Sequence, residues 1–215
     1  ADHRLMLEQA ENVVVGAAII ARILGLDSAV IGVEDNKPDA ISKLSEIAGK
    51  YNVRVQALPV NYPQGAEKQL IYAITGREVP VGKLPMDVHC VVQNVASAVA
   101  VAEAVVKGRP SIDRITTVTG KPVVHPGNWR FRIGTPVSKA LELAGGISEQ
   151  PAKLLLGGPM MGIAQSSLDV TVMKNTSGIL LIANDEVSFF TSEPCIRCGR
   201  CVEVCPMSIL PATIS

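Results

Sequence analysis

Ala29-Val30-Ile31-Gly32-Val33-Glu34-Asp35-Asn36-Lys37-Pro38 is the stretch that decides the fold. Its apolar run is unbroken and stops at an acidic, amide-bearing turn, which fits a buried strand, and the proline sits where a helix takes its first turn. Upstream, Val13, Val14, Ala17, Ala18, Ile20, Ala21 and Leu24 keep helical spacing, and Gly25 stands where a helix-ending glycine belongs. Downstream, Ile41, Leu44, Ile47 and Ala48 share one face of a helix expected from Pro38 to Lys50. Val53 to Leu58 reads as the next strand, Pro59 to Gly65 as a loop, and Ala66 to Thr75 as a helix closed by Gly76. Asp87 to Val92 reads as a third strand, and Asn94 as the cap of a helix ending at Lys107-Gly108. Strands and helices alternating over short links predict a parallel α/β sheet with Val30, Ile31, Val55, Val91 and Val92 buried. Glu34, Glu67 and Asn94 are expected to gather at one edge of it, beyond the carboxyl ends of the strands.

After Gly108 the pattern changes. Asp113 to Thr119 and Val123 to Ile133 are β-rich around Gly120-Lys121-Pro122 and predict a hairpin. Thr135-Pro136 opens a helix through Leu143 that stops at Gly145-Gly146, and Lys153 to Leu156 and Gly178 to Ala183 are further strands. Hairpin, helix and returning strands describe a β-grasp, or ubiquitin-like, module, so boundaries are expected near 110 and 186: residues 1–110, 111–185 and 186–215.

Composition narrows the function. The 215 residues carry 20 Lys and Arg against 20 Asp and Glu. A neutral chain has no basic field to displace counterions from a polyphosphate, so no nucleic-acid partner is expected. The longest apolar stretch, Val13 to Ala21, ends at Arg22, far short of the roughly 20 residues that span a bilayer. No signal-peptide pattern opens the chain, and a cytoplasmic location is expected. No Ser/His/Asp set or G-x-S-x-G elbow is present, and His3, His89 and His125 are scattered. No residue is assigned a catalytic role.

Four of the five cysteines lie in Cys195-Ile-Arg-Cys198-Gly-Arg-Cys201-Val-Glu-Val-Cys205-Pro206, the spacing C-x2-C-x2-C-x3-C-P. Three thiolates two residues apart can wrap one face of an iron–sulfur cube while the fourth points away, and Gly199 lets the backbone approach the sulfurs. Zinc is the competing reading, although zinc ribbons separate their two knuckles by a longer spacer. Cys90, alone in an apolar run, reads as a small core residue.

The strand ends offer a second candidate site. Glu34-Asp35-Asn36, Tyr62 to Lys68 and Gln93-Asn94 each precede a helix N-terminus, where free N–H groups and the dipole favour a phosphate. Gly65 permits close approach, Asn94 can cap or bond a ring, and Lys68 could pair with a phosphate. Ordinary capping, a turn and a solvated charge are the competing readings, and no G-x-G-x-x-G fingerprint decides between them.

Asp2-His3-Arg4-Leu5-Met6-Leu7, Gly32-Val33-Glu34-Asp35-Asn36-Lys37-Pro38, Tyr62-Pro63-Gln64-Gly65-Ala66-Glu67-Lys68-Gln69, Val91-Val92-Gln93-Asn94-Val95, Pro126-Gly127-Asn128, Gly157-Gly158-Pro159-Met160-Met161-Gly162 and Pro194 to Cys201 together resemble, in order, the C subunits of Rnf-type electron-transport complexes. That family is similar to the flavoprotein subunit of respiratory complex I. The resemblance implies a Rossmann-like domain for FMN and NADH, a β-grasp domain of the soluble-ligand-binding type, and a ferredoxin-like segment with two [4Fe-4S] clusters. It implies flavin contacts at Tyr62, Gly65, Ala66, Glu67, Lys68, Gln93 and Asn94. Cys195, Cys198 and Cys201 would hold one cluster, and Cys205 the second. It further implies an NADH-side electron-input subunit of a membrane ion-translocating redox complex, peripheral on the cytoplasmic face through partner subunits. The family's glycine-rich loop and second cysteine motif are absent from these residues. The chain is therefore expected to be the core of a longer polypeptide, holding no cofactor stably by itself. A cobalamin reductase of propanediol-using microcompartments resembles the same subunit. A non-enzymatic β-grasp ligand- or partner-binding module with an electron-relay cluster is the alternative from another class.

Overall fold

A computed structural model describes residues 1–187, 194–205 and 209–214. It divides into two compact units, Ala1–Ala183 and Asn184–Ser215. The first unit opens with α1 (Asp2–Glu8) and α2 (Ala10–Ile23), hinged at Gln9. β1 (Ala29–Glu34), α3 (Pro38–Ala48) and β2 (Val53–Leu58) follow. β1 and β2 pair in parallel, Ala29 with Val53 through Glu34 with Leu58, as expected for a strand, crossover helix and strand. α4 (Glu67–Thr75) ends at Gly76 in the left-handed conformation, and α5 (Val95–Lys107) ends likewise at Gly108. The first core gathers Leu5, Met6, Val13, Val14, Ile31, Val33, Leu44 and Val53. α2 and α5 meet so closely at Gly16 that a Cβ there would lie 1.9 Å from the Ala98 carbonyl oxygen.

The structure corrects the sequence reading at Asp87 to Val92, which is not a strand. Pro85–Val88 is a single 3-10 turn, held by the Asp87 carboxylate accepting from the Leu84 N–H at 2.8 Å. His89 then adopts a left-handed φ of 55°, which breaks any extended run, and the Cys90 N–H donates back to the Pro85 carbonyl. Val91 is 53% exposed and Val30 37%, while Val55 and Cys90 are half-buried. Among the residues expected in the core of this sheet, Ile31 is buried and Val30, Val55 and Val91 are not. An apolar run signals burial, but strand pairing is a tertiary event that its composition does not encode. A second miss is α1, whose buried pair Leu5 and Met6 is too short a pattern to show a helical period.

The second half of this unit holds β3 (Asp113–Thr119), β4 (Gly127–Arg132), α6 (Val137–Leu143), β5 (Lys153–Leu156), β6 (Ile163–Gln165) and β7 (Gly178–Ile182). The sheet order is β4-β3-β7-β5-β6, with β3 and β7 parallel and the other pairs antiparallel. First and last strands parallel at the centre, with one helix across the sheet, make this the β-grasp expected from the sequence. Val118, Val137, Ile179 and Leu181 are wholly buried in its core. Pro136, not Thr135, is the cap of α6; the Thr135 hydroxyl donates instead to the Arg132 carbonyl at 2.7 Å. The fold is therefore α/β, a parallel-sheet region followed by a β-grasp.

The second unit contains α7 (Arg200–Glu203) and α8 (Pro211–Ile214) among its described residues. Part of the expected 186–215 segment, including Pro206 of the cysteine motif, lies outside them. No helix among the described residues is long and apolar enough to cross a membrane.

Candidate functional site

The parallel register places Glu34 and Leu58 at one end of the β1–β2 pair, and the loop to α4 leaves from that end. Tyr62 in this loop is 67% exposed. Ala66 caps α4 in an extended conformation with no side-chain hydrogen bond, so the first-turn N–H groups have no side-chain acceptor. Nothing lies within 4 Å of where a Cβ would stand on Gly65. Glu67 opens the helix, and Lys68 Nζ reaches the Pro80 carbonyl at 3.4 Å. An open glycine beside an uncapped N-terminus of a nine-residue helix fits a phosphate-bearing group. Tyr62, Gly65, Ala66, Glu67 and Lys68 are neighbours along this one loop and helix start.

Gln93 and Asn94 are placed differently. Asn94 Oδ1 accepts from the Ala96 N–H at 2.9 Å, capping α5, while its Nδ2 donates to Asp2 Oδ2 at 2.7 Å. Both ends of this amide already serve the fold. Gln93 lines a cavity of about 290 Å³ whose other walls include Val30, Gly32, Leu70, Ile74 and Val91. Residues 62–68 do not line that cavity. Glu34 is held by Lys37 Nζ at 2.6 Å. Leu70 and Ile74 gave no functional signal in the sequence, because apolar residues at helical spacing read as core.

The cysteine segment has its own local geometry. Cys195, Cys198 and Cys201 are exposed, Cys205 is half-buried, and none is in a disulfide. Arg197 and Gly199 take left-handed φ values of 53° and 77°, so the chain curls between successive cysteines. The Arg197 N–H lies 3.4 Å from Cys195 Sγ, the kind of backbone bond that tunes cluster sulfurs. One helical turn then carries Cys201. No three Cys, His, Asp or Glu side chains among the described residues converge on a metal-sized site. The donor set, four thiols within eleven residues, is nonetheless the chemistry of an iron–sulfur ligand loop. Cys90 is half-buried, with Sγ 3.5 Å from the Val88 carbonyl.

Residues 1–103 match the Nuo51 FMN-binding domain, residues 115–164 the SLBB domain, and residues 188–210 a 4Fe-4S binding domain. The C subunit of the proton-translocating ferredoxin:NAD(+) oxidoreductase complex of Clostridium ljungdahlii is 48% identical over all 215 residues, which cover 47% of that protein. Its Na(+)-translocating counterpart from Acetobacterium woodii is 46% identical across the whole chain, with 49% of it covered. The C subunit of an ion-translocating oxidoreductase complex from Rhodobacter capsulatus is 44% identical over 98% of the chain and 41% of its own length. The chain thus spans about half the length of these curated relatives. The crystal structure of an air-oxidised NAD+-reducing [NiFe]-hydrogenase superposes with a TM-score of 0.72 at 19% identity, over 86% of this chain and 38% of that one. That likeness shows a shared fold. Three domain matches in series and end-to-end identity above 40% make this chain a relative, over its whole length, of the C subunits of ion-translocating ferredoxin:NAD(+) oxidoreductase complexes.

Proposed function

We propose that this chain is the electron-input core of an NADH-side subunit in a membrane-associated, ion-translocating redox complex. The observation that carries the reading is the series of matched regions, FMN-binding, SLBB and 4Fe-4S, in one chain that aligns end to end with the oxidoreductase subunits. When bound, FMN would supply the exchange between two-electron hydride transfer from NADH and one-electron transfer to two [4Fe-4S] clusters. The chain's residues would bind and orient. Gly65 and the uncapped start of α4 leave room and N–H donors for a phosphate, and Lys68 adds a positive charge there. Tyr62, Ala66 and Glu67 complete that wall; Gln93, which lines the neighbouring cavity, and Asn94, whose amide would have to exchange its bonds to Asp2 and Ala96, are the contacts proposed from the start of α5. Cys195, Cys198 and Cys201 would donate thiolates to one cluster and Cys205 to the next. We divide the chain at residues 1–110, 111–185 and 186–215 for flavin binding, β-grasp and cluster segment. Attachment at the cytoplasmic face through other subunits follows from the same reading.

The test is made on the full-length protein. A flavin absorbance spectrum and NADH-dependent ferricyanide reduction are expected, and Cys198→Ala is expected to lower the iron content after anaerobic reconstitution. Absence of both flavin and NADH-driven reduction would favour the non-enzymatic binding-module reading and overturn this one.

A further inference from the structure

A second cleft, with none of residues 62–68 in its walls, lies between α5 and the first hairpin of the β-grasp. It measures about 300 Å³, and its walls carry Ser97 and Glu103 from α5, Asp113 and Arg114 from β3, Arg130 from β4, and Lys174. Its two acids share one guanidinium. Arg109 donates to both carboxylate oxygens of Glu103 at 3.2 Å and bonds Asp113 Oδ2 through its other terminal nitrogen. The two acid side chains are largely buried, at 15% and 14% exposure, and the one guanidinium ties them together. The other cations are held less closely. Arg130 stays 3.8 Å from Asp113, beyond hydrogen-bond reach. Arg114 Nε is buried with no hydrogen-bond partner. Lys174 is exposed at the rim and makes no ion pair among the described residues.

Burying a guanidinium N–H without an acceptor is costly, so the Arg114 guanidinium is left short of partners beside the cleft that this residue lines. Four cations surround two acids here, leaving a surplus of two positive charges around a cleft of small-molecule size. The hydroxyls of Ser97 and Ser111 add donors of the kind that complete an oxyanion shell. We propose that this cleft binds a small phosphate-bearing anion, with Arg114 and Arg130 as forked donors and Lys174 closing the rim as a point charge. A tetrahedral dianion uses cations arriving from three elements. A single planar carboxylate would be satisfied by one guanidinium fork.

The probe is inorganic pyrophosphate, titrated calorimetrically into the full-length protein at low ionic strength, with succinate as the dicarboxylate comparison. One saturable site per chain is expected, weakened by added salt. Lys174→Gln, a surface change that leaves the fold alone, is expected to weaken binding several-fold, and Arg114→Lys at least tenfold, about 1.4 kcal/mol. Lys153→Gln, an exposed change on β5, is expected to leave it unaltered. Flavin content and NADH-dependent reduction should not move in Lys174→Gln, which separates this site from the proposed redox function. No saturable binding, equal binding of succinate, or binding indifferent to both Arg114→Lys and Lys174→Gln would overturn the proposal.

Discussion

Val30 in the parallel pair β1–β2 is 37% exposed, whereas Val118, Ile179 and Leu181 in the five-stranded sheet are wholly buried. The difference is one of face as well as of pairing: Val30 borders the 290 Å³ cavity, while Ile31 and Val33 of the same strand are buried in the first core. β7 has a partner on each side, β3 and β5, while among the described residues β1 is paired with β2 alone and its region borders the 290 Å³ cavity. A sheet whose central strand is paired on both edges and covered by a helix spends its apolar surface on the core. A sheet left with a free edge keeps apolar surface for something else to cover. In this chain the expected flavin residues all belong to the open half.

The sharpest way to break this comparison is to remove packing from the closed sheet. Leu181→Ala is expected to cost about 2–5 kcal/mol, since a wholly buried leucine leaves a cavity that tight neighbours cannot fill. Urea denaturation measures it, and a loss under about 1 kcal/mol would remove the asymmetry. Asn94→Ala comes next, at about 1 kcal/mol, because it deletes both the α5 cap and the tie to Asp2. Val30→Ala, the counterpart of Leu181→Ala at the open edge, is expected to cost less than about 1 kcal/mol, its side chain being only partly withdrawn from water.

Gly65→Ala sharpens the comparison from the functional side. The position has open space and no left-handed φ, so unfolding should shift by no more than about 0.5 kcal/mol. Flavin retention by the full-length protein is nevertheless expected to fall, if close backbone approach is what Gly65 provides. Unchanged retention would move the ligand away from this loop.

The smallest effect is set by pH at α1 and α3, where His3 Nε2 lies 2.9 Å from Asp39 Oδ1. The His3 hydrogen bond, aided by the Ala40 N–H, holds the Asp39 carboxyl below the usual carboxylate range. A depressed folded value means that its contribution is present above the unfolded value and fades as pH falls through the folded one. Asp39→Asn should flatten that acid limb slightly in a melting series from about pH 5 to about pH 2, and a large change would show an unsuspected role. The pair is at the surface, so added salt should shrink the effect.

Some of this molecule was decided in the sequence. The β1–α3–β2 unit was legible because Ala29 to Val33 is apolar without interruption and Pro38 marks where the helix begins, both local signals. The β-grasp was legible from the change of grammar at Gly120-Lys121-Pro122, and the segment that matches a 4Fe-4S binding domain from four cysteines at fixed spacing, since chain distance alone bounds what those thiols can reach. Other features were tertiary decisions. Val91 and Val92 are as apolar as Val30 and Ile31, yet His89 turns left-handed and they join no ladder. Arg109 meets Glu103 and Asp113 only because a helix and a strand come together there, which leaves Arg114 Nε and Lys174 for another anion. Composition records which residues prefer burial or charge neutralisation. Which partner each one obtains depends on elements far apart in the chain, and only packing brings those together.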